Sequence, residues 1–436
     1  MSRLSTILLL ATTAVYASVT PAHESHTENK LPSNRWYHED DHPVHALFKR
    51  GPVGDGIIYP AIGTPDWSAG FPPAIADTTT LPKAWVDALN TATAAGKIPD
   101  IPQSTSTNGL DPVYPSGYDP SSAIVCSSTA KCVTPGDVWD APPGVIALSF
   151  DDGPLPASDQ LYQFLASHSE HVTHFFIGTN ILLYPDQFKT AFETNQDDIA
   201  VHTWTHPYMT TKSNLEVVAE LGWTIELIHN STGGRIPKYW RPPYGDSDMR
   251  VRAVAKEVFG LTTVIWNQDT DDWTLSEPVP LTTPEKIQQQ MTQWLTGPKT
   301  PGLVILEHEL SDLSVKSFMD AYPMMVSNGW TRTSLAQLDA GSVYQNAWNS
   351  TSQVIPAKVG DLAVKPPARA STTSAKPTAT TVKQPASSSL SSGKPASSNK
   401  PLGNQKSGAT HFSAASLALS GVITVIIAAA VGIIMA

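Results

Sequence analysis

Leu148-Ser149-Phe150-Asp151-Asp152-Gly153-Pro154 closes the apolar run Val145-Ile146-Ala147-Leu148 with two adjacent carboxylates and a Gly-Pro turn. The run has the near-continuous apolarity of a strand covered on both faces. Consecutive side chains on an extended segment point to opposite sides, so Asp151 and Asp152 cannot share one task unless the backbone bends between them. Gly153-Pro154 supplies a bend only after both. In a parallel α/β sheet or barrel, polar residues at the carboxyl end of a strand are where ligands and chemistry sit. A second reading stays open here, a turn whose Asp caps a helix starting near Ala157-Ser158.

Outward from this stretch, strand and helix patterns alternate from Cys126 to about Trp330. The spacing predicts strands at Val145–Phe150, Thr173–Ile177, Ile199–Val201, Tyr239-Trp240, Thr262–Trp266 and Leu303–Leu306. Between them it predicts helices at Ser158–Ser167, Asp186–Thr194, Asn214–His229, Met249–Phe259, Thr283–Leu295 and Leu313–Ser327. In the longest, Leu215, Val218, Leu221, Ile225 and Ile228 recur every three or four residues. The alternation predicts parallel strands in a (β/α) barrel or a doubly wound sheet. The barrel is preferred because the strand ends converge on one set of reactive residues.

The 436 residues carry a formal charge of −11, with no basic patch and no long run of one sign, which argues against a nucleic-acid partner. Residues 1–17 read as a signal peptide, with Arg3 before an apolar segment too short to span a membrane. Residues 18–115 form an irregular extension rich in Pro, Gly, Thr and Asn. Within it Pro82–Leu89 is a candidate helix that packs Trp85 and Leu89 on the main domain, and Lys49-Arg50 is a candidate processing site. The main domain is expected at 116–345. A close pair of cysteines, Cys126 and Cys132, reads as a small disulfide loop in a secreted chain. Residues 346–406 are expected to form a disordered Ser/Thr/Pro-rich stalk, since that composition cannot bury a core. Residues 407–436, whose stretch Leu417–Ala436 is largely apolar with no Lys or Arg after it, fit a glycosylphosphatidylinositol attachment signal at Ser407, with Asn404 the alternative. Asn230 and Asn349 stand in N-glycosylation triplets.

Four further strand ends carry chemistry. His202-Thr203-Trp204-Thr205-His206 places two imidazoles four residues apart, on one face if the turn is helical, a spacing that suits one metal ion. With Asp152 they make a two-His, one-carboxylate set with positions left for water and substrate. Arg241-Pro242-Pro243-Tyr244-Gly245 holds two residues that cannot donate backbone hydrogen bonds, so the next free N–H is that of Tyr244, a candidate oxyanion donor. Taken alone, the His pair also reads as surface residues and the Pro-rich stretch as a rigid turn. Asp269-Thr270-Asp271-Asp272-Trp273 follows the Thr262–Trp266 strand, and Val304-Ile305-Leu306-Glu307-His308-Glu309 ends a strand in an imidazole. Of the other histidines, His168, His171 and His174 read as surface or packing residues. Trp204 and Trp240, flanking motifs at the rim, read as candidate platforms for a sugar ring.

These five segments, in this order, resemble the motifs of the polysaccharide deacetylases of carbohydrate esterase family four, the NodB homology domain. The secreted, stalked and lipid-anchored frame looks like that of fungal chitin deacetylases. Ser149 and Glu309 depart from the usual Thr and Asp, and Glu309 is expected to alter how His308 is oriented. The resemblance implies a distorted (β/α) barrel and a monomer that removes N-acetyl groups from chitin in the cell wall, giving chitosan and acetate. Asp152, His202 and His206 would hold a divalent metal, zinc in most members and cobalt in some. Asp151 would be the general base, paired with Arg241. The Tyr244 amide would bind the oxyanion, His308 would protonate the departing amine with Asp272 behind it, and Leu306 and Trp273 would line the acetyl pocket. Action on acetylxylan or peptidoglycan, and a slow or inactive wall-binding mannoprotein, are the alternatives.

Overall fold

The computed structural model describes residues 53–366. The expected signal peptide, the Lys49-Arg50 pair, most of the stalk and the attachment signal with Asn404 and Ser407 lie outside the described residues. Among the described residues no helix is long and apolar enough to cross a membrane.

β1 (Val145–Asp151) is the hub. Its alternate residues Ile146, Leu148 and Phe150 enter the larger buried cluster, shared with the helices, while Ala147 enters a smaller cluster with Phe175, Ala200, Tyr239, Val304 and Leu306. The smaller cluster is the barrel interior, because every member just named has that same parity on its strand. β2 (Thr173–Phe176), β3 (Asp198–Val201), β4 (Tyr239–Trp240), β5 (Thr262–Thr263), β6 (Gln268–Asp269), β7 (Leu303–Leu306) and β8 (Thr331–Ser334) complete an eight-stranded sheet in the order β5-β4-β3-β2-β1-β7-β6, with β8 also on β1. All strand pairs are parallel, so every carboxyl end lies on one rim.

That sheet cannot be flat. Seven strands side by side at about 4.8 Å spacing would set the outer two about 29 Å apart. Yet β5 and β6, which end the path, are separated only by Val264–Asn267, and five peptide units reach at most about 18 Å. The sheet therefore curls toward closure, and the barrel, not the doubly wound sheet, is the fold. The same run explains why the expected strand Thr262–Trp266 stops at Thr263. Val264 N–H still donates to Trp240 O, but Ile265 N–H turns to Val138 O and Asn267 N–H to Val304 O. The chain is crossing the gap between the two sheet edges there, and Asp269–Trp273 consequently follows β6.

Helices α1 (Lys83–Ala94), α2 (Ser158–His168), α3 (Gly178–Leu183), α4 (Pro185–Lys189), α5 (Asn214–Ser231), α6 (Met249–Phe259), α7 (Pro284–Thr296) and α8 (Asp312–Ser327) cover the outside. The expected Asp186–Thr194 helix is α4 running into a π-helical stretch, Thr190–Thr194, and α3 and β8 were not anticipated. The α1 expectation holds. Trp85 and Leu89 are buried, and the Trp85 ring meets Trp223 and Phe259 edge-on at 5.3 and 5.7 Å. The expected stalk boundary at 346 is too early. Asn346 accepts from Ile236 N–H and donates to Gly234 O and Ile355 O, and Ala347, Val354 and Val359 are buried, so the chain up to about 360 belongs to the packed body. Cys126 and Cys132 form a disulfide.

Candidate active site

Barrel parity selects the site. Continuing the inward register past the strand ends brings Asp151, His202, Arg241 and His308 to the interior rim. Asp151 is buried, and its Oδ1 accepts from Arg241 Nη1 at 2.6 Å. The guanidinium is itself fixed by Ser149 Oγ at 3.0 Å and by the face of Phe175, 4.3 Å away. Asp151 Oδ2 is left on the side of His202, whose Nε2 is 3.8 Å away. Asp152 would point outward in an extended chain, but its φ of +70° turns it back toward the same imidazole. The bend begins at Asp152 and not, as expected, after it. Asn180 secures the turn by donating to Asp152 O at 2.8 Å.

Asp152, His202 and His206 converge with their ligating atoms within 4.8 Å of one another. Asp152 Oδ1 lies 3.2 Å from His202 Nε2 and 3.1 Å from His206 Nε2, yet it is buried and accepts no hydrogen bond. A buried carboxylate oxygen left unpaired between two imidazole nitrogens is what a cation site looks like without its ion. His202 Nδ1 is 2.8 Å from Arg241 O. Donation to that carbonyl leaves the Nε2 lone pair free to hold a metal ion. Burial by itself would raise the Asp152 carboxyl pKa, but the imidazoles of His206 and His202 hold it well below the usual carboxylate range, so it is ionised. The set fits a divalent metal.

The two histidines do not sit on a helical turn. The loop between them bends at Thr203, φ +67°, and Thr203 Oγ1 accepts from His206 N–H. Its geometry is held from α5 by Glu220, which sequence reasoning missed. One Glu220 oxygen takes the N–H groups of Trp204 and Thr205 at 2.8 Å each, and the other takes the Thr205 hydroxyl at 2.6 Å. The available signal was an acid directly beside the apolar Val218–Leu221 face of that helix.

His308 is clamped by Asp272, which accepts from its N–H at 2.9 Å and lies 2.6 Å from its Nδ1. Burial opposes the imidazolium, but Asp272, with Asp152 and Asp151 behind it, pushes its pKa up to about 10. It is therefore charged at neutral pH, as an acid must be. Tyr244 adopts φ +58°, and among the described residues its N–H makes no hydrogen bond. The residue is 52% exposed, and its ring stacks on Tyr208 at 4.2 Å and meets His206 edge-on at 4.6 Å. Leu306 is buried in the barrel interior and Trp273 is 39% exposed.

One expectation fails. Trp204 and Trp240 are fully buried, with Nε1 donating to Ala74 O and Thr263 Oγ1, so neither offers a face to a sugar. Trp240 has outward parity on β4, and Trp204 sits in the outer cluster. Of the surface-or-packing histidines, His174 is a packing residue, its ring against Tyr162 and Phe176, and it is buried between Asp197 and Glu309. Outward parity sends the Glu309 carboxylate to His174 and Tyr162, so its side chain makes no direct contact with the His308 ring.

A family model described as polysaccharide deacetylase matches residues 140–264. The chain is similar to "Chitin deacetylase 3" of Cryptococcus neoformans var. neoformans, 40% identical over 362 residues, covering 81% of this chain and 80% of that protein. It is also similar to "Chitin deacetylase 1" of Saccharomyces cerevisiae, 38% identical over 206 residues, 47% of this chain and 65% of that protein. Among solved structures, the chitin deacetylase of Colletotrichum lindemuthianum aligns at a TM-score of 0.42 and 22% identity over 47% of this chain and 92% of that one.

Proposed function

The chain belongs to the polysaccharide deacetylase family and is an enzyme of that chemistry, and we propose that it hydrolyses the N-acetyl groups of N-acetylglucosamine units in chitin. The observation that carries the reading is the opposed pair at the rim. Asp151 is held by Arg241 and His308 by Asp272, on either side of the unpaired Asp152 oxygen.

Asp152, His202 and His206 would hold the metal, and a zinc ion there, the best match to two imidazoles and a carboxylate, would polarise the acetamide carbonyl and acidify its water. Asp151 Oδ2 takes the proton of the attacking water, its other oxygen being committed to Arg241. As the water oxygen bonds to the carbonyl carbon, the Tyr244 N–H donates to the oxyanion. His308 then gives its proton to the sugar nitrogen while the C–N bond breaks, leaving acetate and a free amine. A carboxylate base and an imidazolium acid with separate charge partners stay in opposite protonation states, which the two transfers require. Leu306 and Trp273 are the proposed walls of the acetyl pocket. The exposed Tyr244, stacked on Tyr208, gives a polymer a side on which to lie across the site.

Secretion, N-glycosylation at Asn230 and Asn349, and wall attachment through a lipid anchor at Ser407 belong to the same proposal, supported by the terminal segments and the Ser/Thr/Pro-rich composition between 367 and 406. The decisive measurement is acetate release from chitin oligomers, with and without a chelator, beside acetylxylan and peptidoglycan. Chelator-sensitive release from chitin oligomers is expected. Release only from acetylxylan or peptidoglycan would move the substrate, and no release from any of the three would overturn the reading.

A further inference from the structure

Behind the rim, on the outer side of the barrel, lies a charged group that the reaction does not use. His174, at the centre of β2, is fully buried, with Nδ1 2.7 Å from Glu309 Oε1 and Nε2 3.3 Å from Asp197 Oδ2. Both ring nitrogens face carboxylates, which requires both to be donors and the ring to be a cation. Burial opposes that charge, but Glu309 and Asp197 outweigh it and raise the pKa to about 10. Tyr162 of α2 donates to the other Glu309 oxygen at 2.7 Å, and Asp197 accepts from Val172 N–H. Glu309, His174 and Asp197 form one satisfied, fully desolvated strut.

Its free end reaches both halves of the acid–base pair. Glu309 directly follows His308, and its N–H donates to Asp151 O at 3.1 Å, while Asp151 N–H donates to Glu307 O at 3.0 Å. The Glu309 side chain also fills the space over Gly153, where any Cβ would collide with its carboxyl group. The chain thus has a rigid arm from β2, through Glu309, to the strand ends bearing Asp151 and His308.

We propose that Glu309 is a positioning residue, whose reach from the β7 end to His174 sets the separation of the base Asp151 from the acid His308. The inference rests on the deacetylase reading. It predicts that reach matters more than charge at Glu309. Glu309→Gln keeps the length and should retain at least about a third of wild-type kcat. Glu309→Asp, one methylene shorter, should lose about tenfold in kcat, with KM for chitin oligomers and zinc affinity unchanged. Gly153→Ala, pressing on the same carboxyl group, should lose a similar factor. The Gly153→Ala/Glu309→Asp pair should lose clearly less than the product of the two single losses, because both changes act on the one carboxyl group.

A merely structural role would lower thermal stability and zinc affinity together with kcat. That pattern, or wild-type kcat in Glu309→Asp, or multiplying losses in the pair, would overturn the proposal. The His308 imidazole nitrogen resonances supply a readout that needs no turnover, shifting in Glu309→Asp and staying in place in Glu309→Gln. A wild-type enzyme that releases no acetate would sink the deacetylase reading, and the resonances would still decide the positioning role, unmoved signals in Glu309→Asp counting against it.

Discussion

Asp151 and Asp152 reach one imidazole, that of His202, from successive positions in the chain, at 3.8 and 3.2 Å. An extended strand forbids this, and the left-handed φ of Asp152 permits it. What separates their roles is the partner of each. Asp151 has a guanidinium on one oxygen, while Asp152 has an oxygen with no donor at all. Asp151→Asn should therefore lower acetate release by about 10²–10⁴-fold, the usual range for losing a general base, with zinc stoichiometry unchanged by elemental analysis. Asp152→Ala should lose the zinc as well, and an Asp151→Asn enzyme that kept wild-type turnover would remove Asp151 from the mechanism.

α5 does more than shield the barrel. Its capping box, Ser213 with Glu216, anchors the first turn, and its buried Glu220 takes three donors from the His202–His206 loop. Removing an outer partner of a metal ligand typically costs 10–100-fold in affinity, so Glu220→Ala should weaken zinc binding by about that factor in a competition titration. Ser213→Ala, at the far end of the first turn, should cost only about 1 kcal/mol of stability by calorimetry and leave zinc affinity alone. If Glu220→Ala lowered the melting temperature without touching zinc affinity, the helix would be a scaffold for the fold and not for the ligands.

Across the whole molecule, the packing of residues 346–360 makes the fold longer than its composition implies. A chain ending at 366 should keep the cooperative unfolding of the full protein, whereas one ending at 345, without Asn346, Val354 and Val359, should be insoluble or lack a sharp transition. The strut also sets a pH dependence. Folded His174 holds its proton to about pH 10, while the unfolded ring releases it near 6.5. Between those values the folded state binds the extra proton, so this contribution is complete below about pH 6.5 and falls as pH rises toward 10. The melting temperature should decline across that window, and His174→Gln should flatten the decline.

The amino-acid sequence by itself determined which residues stand at the strand ends, the parallel alternation of strand and helix, and α1, whose Trp85 and Leu89 are buried as their spacing implies. These are local properties, written in side-chain periodicity, turn residues and short motif spacing. Only the tertiary structure decided that β5 and β6 sit at opposite edges of one curled sheet, and that residues 264–267 cross between those edges. It alone also set the turn at Asp152, the burial of Trp204 and Trp240, and the meeting of His174 with Glu309 across 135 residues of chain. Each of these depends on which strands become neighbours and which parity faces inward. Such pairing is chosen by the sum of contacts between distant segments, and no local stretch of sequence carries that sum.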